Sequence, residues 1–259
     1  MAFIKTSQEI EKMREGGLLL SCALKAAMDL VRPGVLIGEL DVVAEKVIRD
    51  GGGQPSFKGY KTPYNETPFP STVCISINDE VVHGMANRPI ILQEGDIVGL
   101  DIGCWYKGLC TDMAVSVPVG IVSAEVIQLL EVTKASLFAG VQAAIAEKKI
   151  SHISRAVQTV INPHGYGIVR ALVGHGVGHE VHEDPHVPNT DEGHLPDPKL
   201  LPGMCLALEP MITLGDYNVY TDDDGWTIRT CDGSLCAHFE VTIVITENGP
   251  EILTPLPVF

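Results

Sequence analysis

Two stretches of this chain, 108 residues apart, are built alike. Gly95-Asp-Ile-Val-Gly-Leu-Asp101 and Gly203-Met-Cys-Leu-Ala-Leu-Glu209 each run from a glycine, through an apolar core, to a carboxylate six residues on. A second echo comes earlier: Ile37-x-x-Leu40 opens one helical pattern as Ile150-x-x-Ile153 opens another, 113 residues later. Echoes this short also arise by chance, but offsets that nearly agree favour a second half that repeats the design of the first, a helix followed by a strand that ends on an acid. We therefore expect a pseudo-twofold α+β architecture. No linker-like stretch separates the halves, so residues 1–259 are expected to form one domain, and 45% hydrophobic residues supply its core.

Local patterns place the elements. Thr6-Ser-Gln-Glu9 has the spacing of a capping box, and Ile10, Met13, Gly17, Leu20, Leu24 and Ala27 then recur every three or four residues. That helix is stopped at Arg32-Pro33-Gly34. A second, through Leu40, Val43, Val47 and Ile48, ends at the glycine run 51–53. After a Pro-rich loop at 54–70, strands are expected at Thr72–Ile77, Ile97–Asp101 and Thr111–Val117. Helices follow from about Glu125 to Lys148 and from Ile153 to Ile161, and the chain from Ile168 onward reads as strand and loop.

The charge balance, 18 basic against 33 acidic residues and a net charge of −15, disfavours nucleic acid as a partner, because phosphate binding needs a basic footprint. It suits cationic ligands, among them the protonated amino terminus of a peptide. The first residues lack a signal peptide's apolar core, and Leu18-Leu19-Leu20 is too short and interrupted to span a membrane. Seven cysteines form no C-x-x-C pair, which reads as reduced thiols in a cytoplasmic protein.

Asp101 and Asp112 carry the first chemical signal. The segment between them reads as a hairpin turning at residues 105–108, and folding it about Tyr106 and Lys107 sets 101 opposite 112. Opposed β-carbons lie roughly 5 Å apart, so two such aspartates need a cation between them or one must stay protonated. The plainer alternative is two strand-end acids in contact with water. Gly174-His-Gly-Val-Gly-His-Glu-Val-His-Glu-Asp-Pro185 is the second signal. It lacks the H-E-x-x-H spacing of helical zinc proteases, and its glycines point to His175 projecting from an extended loop. Glu209 closes an apolar strand and Glu240 opens one, positions where a carboxylate is costly unless paired or metal-bound. Four carboxylates and one imidazole suit divalent metals, and so oxygen-rich a set suits two ions sharing carboxylates.

Together the strings Ser76-Ile-Asn-Asp-Glu-Val-Val-His83-Gly, Asp96-Ile-Val-Gly-Leu-Asp101, Thr111-Asp112, Gly174-His-Gly-Val-Gly178, His182-Glu-Asp-Pro185, Leu208-Glu-Pro-Met211 and Phe239-Glu-Val-Thr242 resemble the type I methionine aminopeptidases. The match runs in order along nearly the whole chain. It implies the pita-bread fold: a pseudo-twofold, curved antiparallel sheet holding the metals, with helices packed outside. It implies metal ligation by Asp101, Asp112, His175, Glu209 and Glu240, with Asp112 and Glu240 bridging two ions of Co, Mn, Fe or Zn. His83 matches a residue near the scissile amide and His182 one that polarises the scissile carbonyl, while Glu209 also moves a proton. Cys74, Phe69 and Trp226 match the lining of the methionine pocket.

The activity so implied is removal of the initiator methionine by a metal-activated hydroxide when the second residue is small. The expected partners are peptide or nascent-protein N-termini met by a monomer, with transient ribosome association compatible and neither nucleic acid nor membrane involved. Three positions depart from the family's bacterial pattern: Glu66 and Thr67 stand where aromatic residues are common, and Val181 where Phe is. His179 lies outside the family signature and is read as structural. Aminopeptidase P and prolidase relatives usually carry an N-terminal domain for which this chain leaves no room before its first helix. Type II enzymes carry an insertion that the 26 residues between His182 and Glu209 do not accommodate. Non-catalytic relatives generally lose metal ligands, whereas all five positions are filled here.

Overall fold

The computed structural model describes residues 4–62, 67–193 and 195–258, so Glu66 lies outside the described residues. Helix α1 (Ser7–Met28) begins at the expected capping box: the Glu9 amide donates to Thr6 Oγ1 at 3.3 Å, and the Thr6 amide donates to Glu9 Oε2 at 2.8 Å. Its buried face includes Met13, Gly17, Leu20, Leu24 and Ala27. A Cβ on Gly17 would sit 2.0 Å from the Leu253 carbonyl oxygen, so only glycine lets the helix lie this close to the C-terminal segment. Helix α2 (Ile37–Asp50) buries Ile37, Leu40, Ala44 and Ile48 along one stripe and packs on α1.

Five strands follow: β1 (Gln54–Pro55), β2 (Val73–Ile77), β3 (Glu80–Val82), β4 (Ile97–Tyr106) and β5 (Leu109–Pro118). Helices α3 (Ala124–Ala143) and α4 (Ile150–Ile161) then pair with each other. The sequence pattern had α3 reaching Lys148 and α4 starting at Ile153. Ala144 instead leaves helical geometry, Glu147 takes φ 66°, and Lys149 is extended, so the chain reverses and α4 opens early. The remainder is β6 (Gly167–Ile168), β7 (Gly174–Gly176), β8 (Glu183–Val187), β9 (Cys205–Leu208), β10 (Met211–Thr213), β11 (Val219–Thr221), β12 (Ile228–Thr230), β13 (Cys236–His238), β14 (Glu240–Thr246) and β15 (Gly249–Ile252).

Among the described residues the main sheet has nine antiparallel strands in the order β1-β4-β5-β14-β9-β7-β8, with β2 also on β4 and β15 also on β14. Its symmetry is visible about the β5/β14 pairing. Outward on one side come β4 and β2, outward on the other β9 and β7. The echoing segments Gly95–Asp101 and Gly203–Glu209 feed β4 and β9, so they occupy equivalent places. Register sorts the faces. Leu100 pairs with Val115, Ile102 with Met113, Met113 with Val241 and Val241 with Leu208, and these residues form the buried core on which the helices pack. Because side chains alternate, the residues between them face the other way. Small sheets β13-β10-β6 and β11-β12-β3 border that second face.

Candidate metal and peptide site

The second face is where the acids meet. Asp101 pairs with Ala114 and Ala114 with Glu240, one cross-strand row over β4, β5 and β14. Asp112, two residues before Ala114, shares that face. The hairpin register differs from the one expected by symmetry about Tyr106 and Lys107. Tyr106 pairs with Leu109, closing a two-residue turn at Lys107 (φ 49°) and Gly108 (φ 83°), so Asp112 lies opposite Gly103. Positive φ at both central positions is the type I′ geometry that matches strand twist, which is why the turn closes one residue later. The two aspartates are thus diagonal, roughly 7 Å apart at the backbone, rather than face to face. Ala114 and Gly103 as their opposite numbers keep the space between them clear.

β9 and β7 complete the set from the other half. His175 pairs with Ala207, whose parity Glu209 shares just past the end of β9. His175 therefore sits in a short strand rather than the expected loop. The flanking glycines are needed for strand packing: a Cβ on Gly174 would lie 2.4 Å from the Ala207 carbonyl oxygen, and one on Gly176 would lie 2.4 Å from that of Asp184. The His175 Nδ1 proton is donated to the Gly176 carbonyl at 2.8 Å, which fixes the tautomer and leaves the Nε2 lone pair free, 3.6 Å from Glu209 Oε1. On the opposite flank Cys74 in β2 pairs with Asp101, and burial and then that carboxylate's charge push its thiol well above the ordinary range.

These residues line a cavity of about 190 Å³ together with His83, His182, Phe69, Trp226, Phe57 and Tyr60. All ten residues singled out from the sequence thus lie around one space. One end is apolar, with Phe69 and Trp226 edge to face at 5.3 Å and the indole N–H donating to the Thr67 carbonyl at 3.2 Å. The other end holds the acids. His83, at φ 60° after β3, and His182, with its ring 4.5 Å from that of His175, stand where this cavity meets a second one of about 380 Å³. His179 points elsewhere and pairs with Glu9 of α1 at 2.8 Å. Val181 packs with Met13, Val177 and Cys205, away from the cavity lining.

No Lys or Arg is among the described residues lining the cavity. Burial pushes the Asp101 carboxyl up to about 7. Asp112, Glu209 and Glu240 are also raised, first by burial and then by one another's charge and that of Asp101. Burial holds His175 down at about 3 and His83 at about 4, so both imidazoles are neutral. Asp101 Oδ1, Asp112 Oδ1 and Glu240 Oε1 are buried without a hydrogen-bond partner among the described residues. Orphaned carboxylate oxygens cost several kcal/mol each unless a cation compensates them. Asp112, His175 and Glu240 each offer an atom within 4.8 Å of the others. Oxygen donors beside one neutral imidazole fit a divalent ion.

Two groups beside the site escaped the sequence reading. His238 in β13 is buried behind the acids, its Nε2 without a hydrogen-bond partner among the described residues and 3.8–3.9 Å from Glu209 Oε2 and Glu240 Oε2. Its only signal was its place two residues before Glu240. Tyr60 donates or accepts at His182 Nδ1 over 2.9 Å, and nothing in the spacing of a Pro-rich loop marks it.

The family model of metallopeptidase family M24 matches residues 11–247. Methionine aminopeptidase from Clostridium acetobutylicum is 43% identical over 254 residues, covering 98% of this chain and 99% of that protein. The crystal structure of methionine aminopeptidase from Thermotoga maritima superposes with a TM-score of 0.92 at 39% identity, over 98% of this chain and 99% of that one. Prolidase from Pyrococcus furiosus shares the fold at a TM-score of 0.75 and 23% identity, with 98% of this chain against 66% of that one. The architecture is the pita-bread fold, and the orphaned carboxylates agree with a metal-using hydrolase. The chain belongs to metallopeptidase family M24, in its methionine aminopeptidase branch.

Proposed function

We propose that this chain removes N-terminal methionine from peptides and nascent proteins whose second residue is small. The observation that carries the reading is one cavity with an apolar aromatic end and an acidic, cation-seeking end. Asp101, Asp112, His175, Glu209 and Glu240 would hold two divalent ions of the Mn, Fe, Co or Zn type, Asp112 and Glu240 lying between the halves as shared ligands. When bound, such ions lower the pKa of water and polarise a carbonyl.

The remaining steps belong to the protein's own side chains. Phe69, Trp226 and Cys74 enclose the methionine side chain by shape and soft apolar contact. The acids draw the substrate's free amino group to the cavity's far end, which confines cleavage to the first residue. Glu209, at the rim shared by both cavities, accepts a proton from the attacking water and returns it to the leaving amine. His182 donates to the carbonyl oxygen as negative charge develops there, and His83 stands beside the scissile amide. The chain beyond that bond leaves past His83 into the second cavity, where a large second side chain would be crowded.

The same reading takes residues 1–259 as one catalytic domain, monomeric and cytoplasmic, with transient ribosome association compatible. Two observations support it: the main core draws side chains from both halves, and no described helix is long and apolar enough to cross a membrane. The test is to assay metal-loaded protein on Met-Ala-Ser, its N-acetylated form and an Xaa-Pro peptide. Hydrolysis of the first alone is expected. Equal rates on the free and acetylated peptides, or preference for Xaa-Pro, would overturn the proposal.

A further inference from the structure

Phe57, Gly59 and Tyr60 are tied to one another and to Phe69 by backbone bonds. The Gly59 amide donates to the Phe69 carbonyl at 2.8 Å, the Phe69 amide to the Tyr60 carbonyl at 2.9 Å, and the Tyr60 amide to the Phe57 carbonyl at 2.8 Å. Tyr60 is thereby fixed on both its backbone amide and its carbonyl. Its ring packs on the Phe69, Cys74 and Trp226 cluster, and its edge meets the His182 ring at 5.6 Å between centroids. Its phenol oxygen lies 2.9 Å from His182 Nδ1. One side chain thus touches both the apolar end of the cavity and the histidine at its polar rim.

A neutral imidazole carries one N–H, and the nitrogen that holds it decides whether the ring can donate or only accept. We infer that Tyr60 is a positioning residue for His182: its hydroxyl donates to Nδ1, which places the imidazole proton on Nε2, the nitrogen left to meet the substrate carbonyl. The phenol is suited to the donor's part, because burial raises its pKa above the ordinary value and keeps it protonated at neutral pH. A wrong tautomer would turn the same ring into a second acceptor facing an oxygen that gains negative charge. Because Tyr60 also lines the apolar end, a seated side chain restrains the ring that orients His182, and pocket filling is linked to carbonyl polarisation. The inference rests on the role proposed above for His182.

The test is a double-mutant cycle of Tyr60→Phe and His182→Ala in the metal-loaded enzyme, read as kcat and KM on Met-Ala-Ser, with metal stoichiometry and thermal midpoint measured alongside. Phenylalanine keeps the ring and its packing, so folding, metal content and KM should stay near the parent's. Turnover should fall about tenfold in the parent background and less than twofold when His182 is already alanine. Nitrogen-15 spectra of the parent imidazole should show the proton on Nε2, and a shift toward mixed tautomers in Tyr60→Phe. An equal loss in both backgrounds, or no loss in either, overturns the inference while leaving the His182 assignment standing. If His182→Ala itself turns over as the parent does, that assignment fails and takes the inference with it.

Discussion

His182 and Glu209 lie within one cavity yet should respond differently to deletion. His182 is held through Nδ1 by Tyr60 and faces the rim, whereas Glu209 sits among the acids, 3.6 Å from His175 and 3.8 Å from His238. His182→Ala should slow turnover by about a hundredfold to a thousandfold, the usual cost of one oxyanion donor, while metal binding persists. Glu209→Ala should impair both, because in the proposed scheme it removes a ligand as well as a proton carrier. Calorimetric metal titration with turnover at saturating metal separates them. Loss of a full metal equivalent in His182→Ala would move that residue among the ligands. Single residues were the most legible part of the sequence where an acid ended an apolar run, since burying such a group demands a reason. Tyr60 and His238 were not legible: an aromatic ring in a Pro-rich stretch and a histidine before a strand carry no such penalty, and only the folded chain brings Tyr60 to the cavity and His238 to the back of its acids.

Elements were read more accurately by type than by register. Capping and periodicity located α1 and α2 because both signals are local, as the Thr6–Glu9 box illustrates. The β4–β5 register slipped because Lys107 takes a positive φ that its residue type does not announce. The short strand β7 was taken for a loop for a related reason. Its glycines read as freedom, but they serve contact with backbone on both sides. Gly174→Ala tests that contact. The added methyl would lie 2.4 Å from the Ala207 carbonyl oxygen, a rigid neighbour, so β7 must move away from β9 and carry His175 with it. Metal affinity and thermal midpoint should both fall, and undiminished affinity in a calorimetric titration would show that the strand spacing is not what aims His175.

At the scale of the molecule, a buried ion pair joins the N-terminal segment to the half that carries His175 and His182. Lys5 Nζ meets Glu183 Oε2 at 2.5 Å with both side chains fully buried, and the Glu183 carboxylate also accepts the amides of His179 and Glu180. A Cβ on Gly178 would come 2.4 Å from Lys5 Cε, so the loop is moulded on this lysine. Lys5→Met should cost roughly 3–5 kcal/mol, because it leaves a buried carboxylate without its counter-charge. Denaturant unfolding checks it, and a loss below about 1 kcal/mol would mean that the pair is not structurally important. The central claim is that the two halves exist to bring Asp101 and Asp112 of one against His175, Glu209 and Glu240 of the other around divalent ions. Anomalous diffraction at the manganese edge from manganese-soaked crystals tests it most directly. Two peaks inside the cavity are predicted, held between them by these five side chains with only Asp112 and Glu240 shared; peaks elsewhere, or none in the cavity at saturating metal, would contradict it.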